Sequence, residues 1–238
     1  MFTHSGSSFI VALALALAFV QSKPALSKNA VVASVREEQV CDPLADYYLG
    51  MEDYPAAIRR HEIVIREHPA NALAHYHLGF AYGMTGNHSR ELSEYHKAIE
   101  LGLSDWELFL NLGLLELEDG NFASASEVLQ LAELLAPYRP EPHFNLGLVY
   151  ERLRMYQKAR QEILLSLRLD PNQPDARNTL ALLYADEGNY RRADQEWSDL
   201  LASNPNYTTA RANLAILKRV ERGEIKLPDG LGGMTHAP

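Results

Sequence analysis

The chain repeats itself every 34 residues, in a single register that needs no gap. Leucine followed by a small residue recurs as Leu78-Gly79, Leu112-Gly113, Leu146-Gly147, Leu180-Ala181 and Leu214-Ala215, and Leu44-Ala45 stands one period earlier. Three residues past the small position come Tyr48, Tyr82, Glu116, Tyr150, Tyr184 and Lys218. Tyr54, His88, Phe122, Tyr156 and Tyr190 follow, then Ala57, Glu91, Ala125, Ala159 and Ala193. Each period closes at Pro69, Leu103, Pro137, Pro171 or Pro205. A period of this length belongs to architectures in which each repeat is one supersecondary unit that cannot bury its apolar face alone.

Local chemistry makes each unit a pair of helices. Stretches such as Tyr76-His77-Leu78-Gly79-Phe80-Ala81-Tyr82 space their apolar residues by three and four, which is one face of a helix. Gly86-Asn87, Gly120-Asn121 and Gly188-Asn189 then punctuate. Glycine takes the left-handed conformation that ends a helix, and asparagine caps the free N–H groups of the next. A glycine inside a helix costs roughly 0.5–1 kcal/mol relative to alanine. The pattern predicts that its missing Cβ lets the second helix approach closely, with Ala125, Ala159 and Ala193 at the crossing.

This arrangement resembles the tetratricopeptide repeat (TPR) family, whose motif sets W-x2-L-G-x2-Y, then alanine, an aromatic and proline over about 34 residues. The resemblance covers 38–207 as repeats 38–71, 72–105, 106–139, 140–173 and 174–207, with a half-repeat or cap at 208–222. It departs in places: His75, Phe109, His143 and Arg177 stand at the tryptophan position, and Arg154 replaces the turn glycine. Glu91 and His88 occupy the small and aromatic positions of the second repeat, which is expected to be the least tightly packed unless the two form a buried pair. The fold implied is an all-α, right-handed superhelical solenoid of antiparallel helix pairs with a C-terminal capping helix.

The resemblance also implies a concave groove lined by the first helices. The residues that flank the Leu-Gly pair map it to Tyr76, His77, Phe80, Leu110, Asn111, Leu114, Phe144, Asn145, Leu148, Asn178, Leu182 and Asn213. An apolar floor crossed by asparagines is expected; an amide both donates and accepts, so it can pair with any peptide backbone. Without a ligand role, asparagine at this position is simply common in the family. At the margins stand Glu107, Glu118, Glu141, Glu151, Asp175 and Asp186, with Arg152 as the main counter-charge. The TPR type that clamps chaperone C-terminal carboxylates needs Lys and Arg there, so that subtype is excluded. The margin favours an extended apolar or basic segment, unless it is an ordinary solvated acidic face.

Charge and motifs narrow the class further. A formal net charge of −9 argues against nucleic acid and anionic lipid as partners. There is no His-Glu-x-x-His, phosphate-cradling glycine loop or nucleophile elbow. The nine histidines form no metal-ligand spacing in sequence, although His61 is placed to meet a carboxylate from a neighbouring helix. No cofactor, metal or small-molecule substrate is therefore expected. Cys41 is the only cysteine, so no intrachain disulfide forms; it reads as a packed small residue or as a mixed-disulfide partner.

At the N-terminus, Phe9 to Val20 is uncharged and apolar, with the length of a secretory h-region and too short to span a bilayer. Its n-region lacks Lys and Arg. Residues 1–22 are read as a signal peptide, with an uncleaved membrane tether as the alternative, followed by a linker at 23–37 and a flexible tail at 223–238. Asn87-His-Ser and Asn206-Tyr-Thr match glycosylation sequons, which matter only in a eukaryotic secretory route. The chain is thus expected to be an exported, periplasmic or secreted, non-enzymatic scaffold. It would bind an extended polypeptide in its groove to assemble or stabilise an exported or envelope complex. The competing class is an enzyme or metal-handling protein built on the same solenoid.

Overall fold

The computed structural model describes residues 41–225. The expected signal peptide, the linker and residues 226–238 of the tail lie outside the described residues. All described elements are helices, and the fold is an all-α solenoid. The chain divides into two compact units, Met1–Leu135 and Ala136–Pro238. The first holds α1 (Pro43–Gly50), α2 (Tyr54–Glu67), α3 (Ala72–Met84), α4 (His88–Glu100), α5 (Trp106–Glu118) and α6 (Phe122–Leu135). The second holds α7 (Pro140–Arg152), α8 (Tyr156–Leu169), α9 (Pro174–Asp186), α10 (Tyr190–Ser203) and α11 (Thr208–Glu221). Within each unit, every helix packs on the next, and α3/α4, α5/α6, α7/α8 and α9/α10 make the most extensive pairings.

The turn inside each pair is one structure built five times. A single residue takes a left-handed φ at Glu52 (58°), Gly86 (75°), Gly120 (80°), Arg154 (58°) and Gly188 (73°). Immediately after it, a backbone N–H reaches back five residues to close the helix: Asp53 to Tyr48 O (3.0 Å), Asn87 to Tyr82 O (2.8 Å), Asn121 to Glu116 O (2.9 Å), Met155 to Tyr150 O (2.8 Å) and Asn189 to Tyr184 O (2.8 Å). This is the Schellman closure, which satisfies carbonyls that a helix end leaves orphaned. Asp53 and Asn189 also cap the following helix, accepting from Ala56 N (3.1 Å) and Arg192 N (3.4 Å). Asn87 makes no such side-chain bond, so its place in the turn rests on backbone geometry alone.

The helix crossing differs from the sequence expectation in one respect. What fills the space above the internal glycine is a large side chain one turn further along the second helix, beyond the expected small residue. A Cβ on Gly79 would lie 2.7 Å from Tyr95 Cδ1, one on Gly113 2.5 Å from Leu129 Cγ, and one on Gly147 2.5 Å from Ile163 Cδ1. Tyr95, Leu129, Ile163 and, opposite Ala181 in register, Trp197 are all essentially inaccessible. They stand 16 residues after their small partners. The alanines at Ala125, Ala159 and Ala193 are also fully buried, where they let the second helix lie close enough to seat that knob. In the first unit the resulting core joins Tyr76, Tyr95, Leu108, Phe109, Leu112, Leu115, Val128 and Ala132.

Two outcomes test this account. Gly147→Leu overpacks the contact with Ile163 and is expected to lower unfolding stability by about 1–3 kcal/mol in chemical denaturation. Arg154→Gly relieves a left-handed backbone at a non-glycine residue and is expected to raise it by roughly 0.5–1 kcal/mol, after the larger entropy of the unfolded chain is subtracted.

Candidate functional site

The polar residues at the family's tryptophan position are built into repeated polar pairs with a glutamate. His75 Nδ1 lies 2.5 Å from Glu94 Oε2, His143 Nδ1 2.9 Å from Glu162 Oε2, and Arg177 Nη1 3.2 Å from Glu196 Oε2. The partner is always 19 residues on, and opposite Phe109 that position is Val128. Polar faces polar and apolar faces apolar. His75 Nε2 and His143 Nε2 are also 3.2 and 3.1 Å from the carbonyl oxygens of Pro69 and Pro137. These histidines tie each first helix to the loop before it and to the second helix, which is a structural task.

In the first unit, the groove candidates come from α3 and α5. Tyr76 is largely buried, and its hydroxyl accepts a hydrogen bond from Asn111 Nδ2 at 3.2 Å, linking the two first helices. Phe80, Leu110, Asn111 and Leu114 are half-buried. Phe80 meets the Tyr54 ring edge-on, with centroids 6.4 Å apart. His77 turns away toward α1, with its Nδ1 2.8 Å from Asp46 Oδ1. The second repeat is not loosely packed: Glu91 is only 2% exposed and pairs with His88 Nδ1 at 3.0 Å. Its carboxylate occupies the space above Gly83, where a Cβ would lie 2.5 Å from Oε1. Burial raises the Glu91 pKa, and His88 opposes the rise.

In the second unit, Phe144 and Leu148 are half-buried on α7, while Leu182 is fully buried on α9. The asparagines are engaged inside the protein. Asn145 Nδ2 donates to Glu141 O (2.9 Å), and Asn178 Oδ1 accepts from Trp197 Nε1 (2.9 Å) and faces Asn213 Nδ2 at 3.5 Å. Asn178 is 1% and Asn213 0% exposed. The physical reason is the indole of Trp197. A tryptophan buried at this register position carries in an N–H donor that needs an acceptor, and Asn178 supplies it. The expected row of ligand-facing amides is therefore taken up by internal bonds, and the half-buried Asn111 is the member of it best placed to meet a ligand.

Among the margin acids, Glu107, Glu118 and Asp175 are exposed, Glu141 and Asp186 are half-buried, and Glu151 is buried. Asp175 Oδ1 accepts from the Tyr207 hydroxyl at 2.6 Å. Burial, reinforced by the negative charges of Glu151 and Glu187, pushes the Asp186 carboxyl up from 3.8 to about 7.

Sequence reasoning missed a second polar cluster. Cys41, Asp46, His61 and His77 bring their donor atoms within 4.8 Å of one another in the first unit, from α1 and its N-terminal flank, α2 and α3. No linear motif announces it, because the four residues are spread over three helices and the flank before the first.

Stacked helix pairs, a repeated Schellman turn and a half-buried apolar face on the first helices define a helical repeat solenoid. Two tetratricopeptide repeat models match the sequence, at residues 43–102 and at 140–173. The chain is a tetratricopeptide repeat protein. Among solved structures it is similar to PilF of Pseudomonas aeruginosa, at 26% identity and a TM-score of 0.65, covering 76% of this chain and 82% of that one. It is also similar to YrrB, described as a TPR protein with an unusual peptide-binding site, at 18% identity and a TM-score of 0.65, covering 84% and 100%. MamA from Desulfovibrio magneticus RS-1 matches at 17% identity and a TM-score of 0.64, covering 69% and 93%. No curated protein sequence matches.

Asp186 gives a pH test of the margin. Its folded-state pKa, about 7, lies above the ordinary 3.8. The folded protein therefore holds a proton that the unfolded chain has lost. Its stabilising share is fully present below the ordinary value and is lost as pH rises through the folded one. Asp186→Asn removes this linkage. Wild type should lose stability relative to the variant between about pH 4 and pH 7 in denaturant titrations; parallel pH profiles would contradict the assignment.

Proposed function

We propose that this protein is a non-enzymatic interaction scaffold that holds an extended, apolar or basic polypeptide segment against the first helices of its repeats. The observation that carries the reading is the face of α3 and α5. Phe80, Leu110 and Leu114 present apolar surface beside Asn111, on a framework of buried neighbours that cannot collapse over it. A preorganised apolar strip with one polar group beside it spends little ordering entropy on binding. An extended segment laid along the strip covers the leucines and the phenylalanine, and Asn111 meets its backbone.

The sign of the ligand comes from the margins. Glu107 and Glu118 are exposed in the same unit, and the chain as a whole is acidic. Basic side chains at the edge of the segment gain from this field, mostly in association rate. The peptide-binding description of YrrB supports a polypeptide ligand by analogy of fold. The apolar stretch Phe9 to Val20 supports export, and a partner in an exported or envelope complex. Among the described residues no helix is long and apolar enough to cross a membrane.

A labelled peptide library graded in charge and apolarity tests the reading by fluorescence anisotropy with the full-length chain. Apolar-basic sequences should bind best, weaken with added salt, and lose more than about tenfold in affinity to Leu114→Lys, which leaves the fully buried core intact. A preference for acidic peptides with free C-termini, or indifference to Leu114→Lys, would overturn it.

A further inference from the structure

We propose that Cys41, Asp46, His61 and His77 form a tetrahedral site for a borderline-soft divalent cation, Zn2+ by its donor chemistry. Four donor atoms, each from a different residue, lie within 4.8 Å of one another. Two of the approaches come close to the edges of a metal sphere. Cys41 Sγ is 3.7 Å from His61 Nδ1, against about 3.5 Å for the edge of a tetrahedron with ordinary Zn–S and Zn–N bonds. His77 Nδ1 and Asp46 Oδ1 stand 2.8 Å apart and would open by about half an ångström to span an N–O edge. The His61 and His77 rings face each other edge-on with centroids 5.5 Å apart.

The surroundings favour a structural, closed site. Cys41 and His61 are buried, and Asp46 and His77 are half-buried. His61 is fully enclosed, and its Nδ1 is the ring nitrogen turned to the thiol. Without a cation, two imidazoles, a thiol and a carboxylate are packed together with few compensating bonds. With one, the S–H bond breaks, an S–metal bond forms and the proton leaves to solvent. A thiolate and a carboxylate then balance the two positive charges, so the burial cost of a net charge disappears. One thiolate with two imidazoles selects Zn2+ over Mg2+ or Ca2+, which want oxygen ligands.

The site also has work to do in the fold. Helix α1 has only eight residues and buries only Ala45, while Leu44, Tyr47 and Met51 beside it are exposed. The core beneath is small, built on Cys41, Val64 and Ala74. Its polar ties are the capping Asp42, which pairs with Arg60 on α2, and Asp46, which meets His77 on α3. A cation bridging the start of α1 to α2 and α3 would staple the first repeat shut, as metals do where a core is too small to suffice.

Co2+ is the probe, titrated into full-length chain that has been stripped with a chelator. The expected result is one Co2+ per chain, the intense visible bands of tetrahedral coordination, a near-ultraviolet thiolate-to-metal charge-transfer band, and displacement by Zn2+. Cys41→Ser should abolish the charge-transfer band while apo helicity by circular dichroism is kept. Asp46→Asn and His61→Ala should each weaken binding more than about tenfold. Weak octahedral bands, no charge-transfer band, or binding unchanged in Asp46→Asn and Cys41→Ser would show the four side chains to be a hydrogen-bonded cluster only, and overturn the proposal.

Discussion

The fold depends on a knob seated over a missing Cβ. On the first helix of three pairs a glycine leaves a notch, and on the second a large side chain 16 residues later fills it: Tyr95 over Gly79, Leu129 over Gly113, Ile163 over Gly147. Glycine's helix penalty is local and near 1 kcal/mol, whereas burying a leucine- or isoleucine-sized side chain contributes about 1.5–3 kcal/mol before close-packing gains. Paired helices held this closely bring their ends together. Each pair can then be closed by one left-handed residue and a backbone bond reaching back five residues, and the repeat can be stacked.

That economy explains what the sequence made legible and what it hid. The 34-residue register, the Leu-small pair and the closing prolines recur because every unit solves the same packing problem, so helix pairs were readable directly. The identity of the knob was not, because the eye follows the small residues at Ala125, Ala159 and Ala193, while the contact itself lies one turn beyond them. Its signal was present as Tyr95, Leu129, Ile163 and Trp197 in register. The substitution of His75, His143 and Arg177 for tryptophan likewise reads as degeneration until Glu94, Glu162 and Glu196 are seen at a constant offset, with Val128 answering Phe109.

The candidate site was legible only in part. The half-buried strip of Phe80, Leu110 and Leu114 follows from helical periodicity. The fate of the asparagines does not. Asn178 serves Trp197, a partner on another helix chosen by that helix's own packing, and Asn145 bonds its own helix's backbone. The meeting of Cys41, Asp46, His61 and His77 was invisible for the same reason: it is a product of three helices converging, with no spacing of its own.

The central claim is that the small residue and the knob are one interaction. The most direct measurement is a double-mutant cycle on Gly113 and Leu129, read by equilibrium denaturation. Gly113→Ala should destabilise the wild type, because its Cβ meets Leu129 Cγ at 2.5 Å. In a Leu129→Ala background the same change should become neutral or stabilising as helix propensity is recovered, a coupling on the order of 1 kcal/mol or more. Additive effects, with Gly113→Ala costing the same in both backgrounds, would contradict the account.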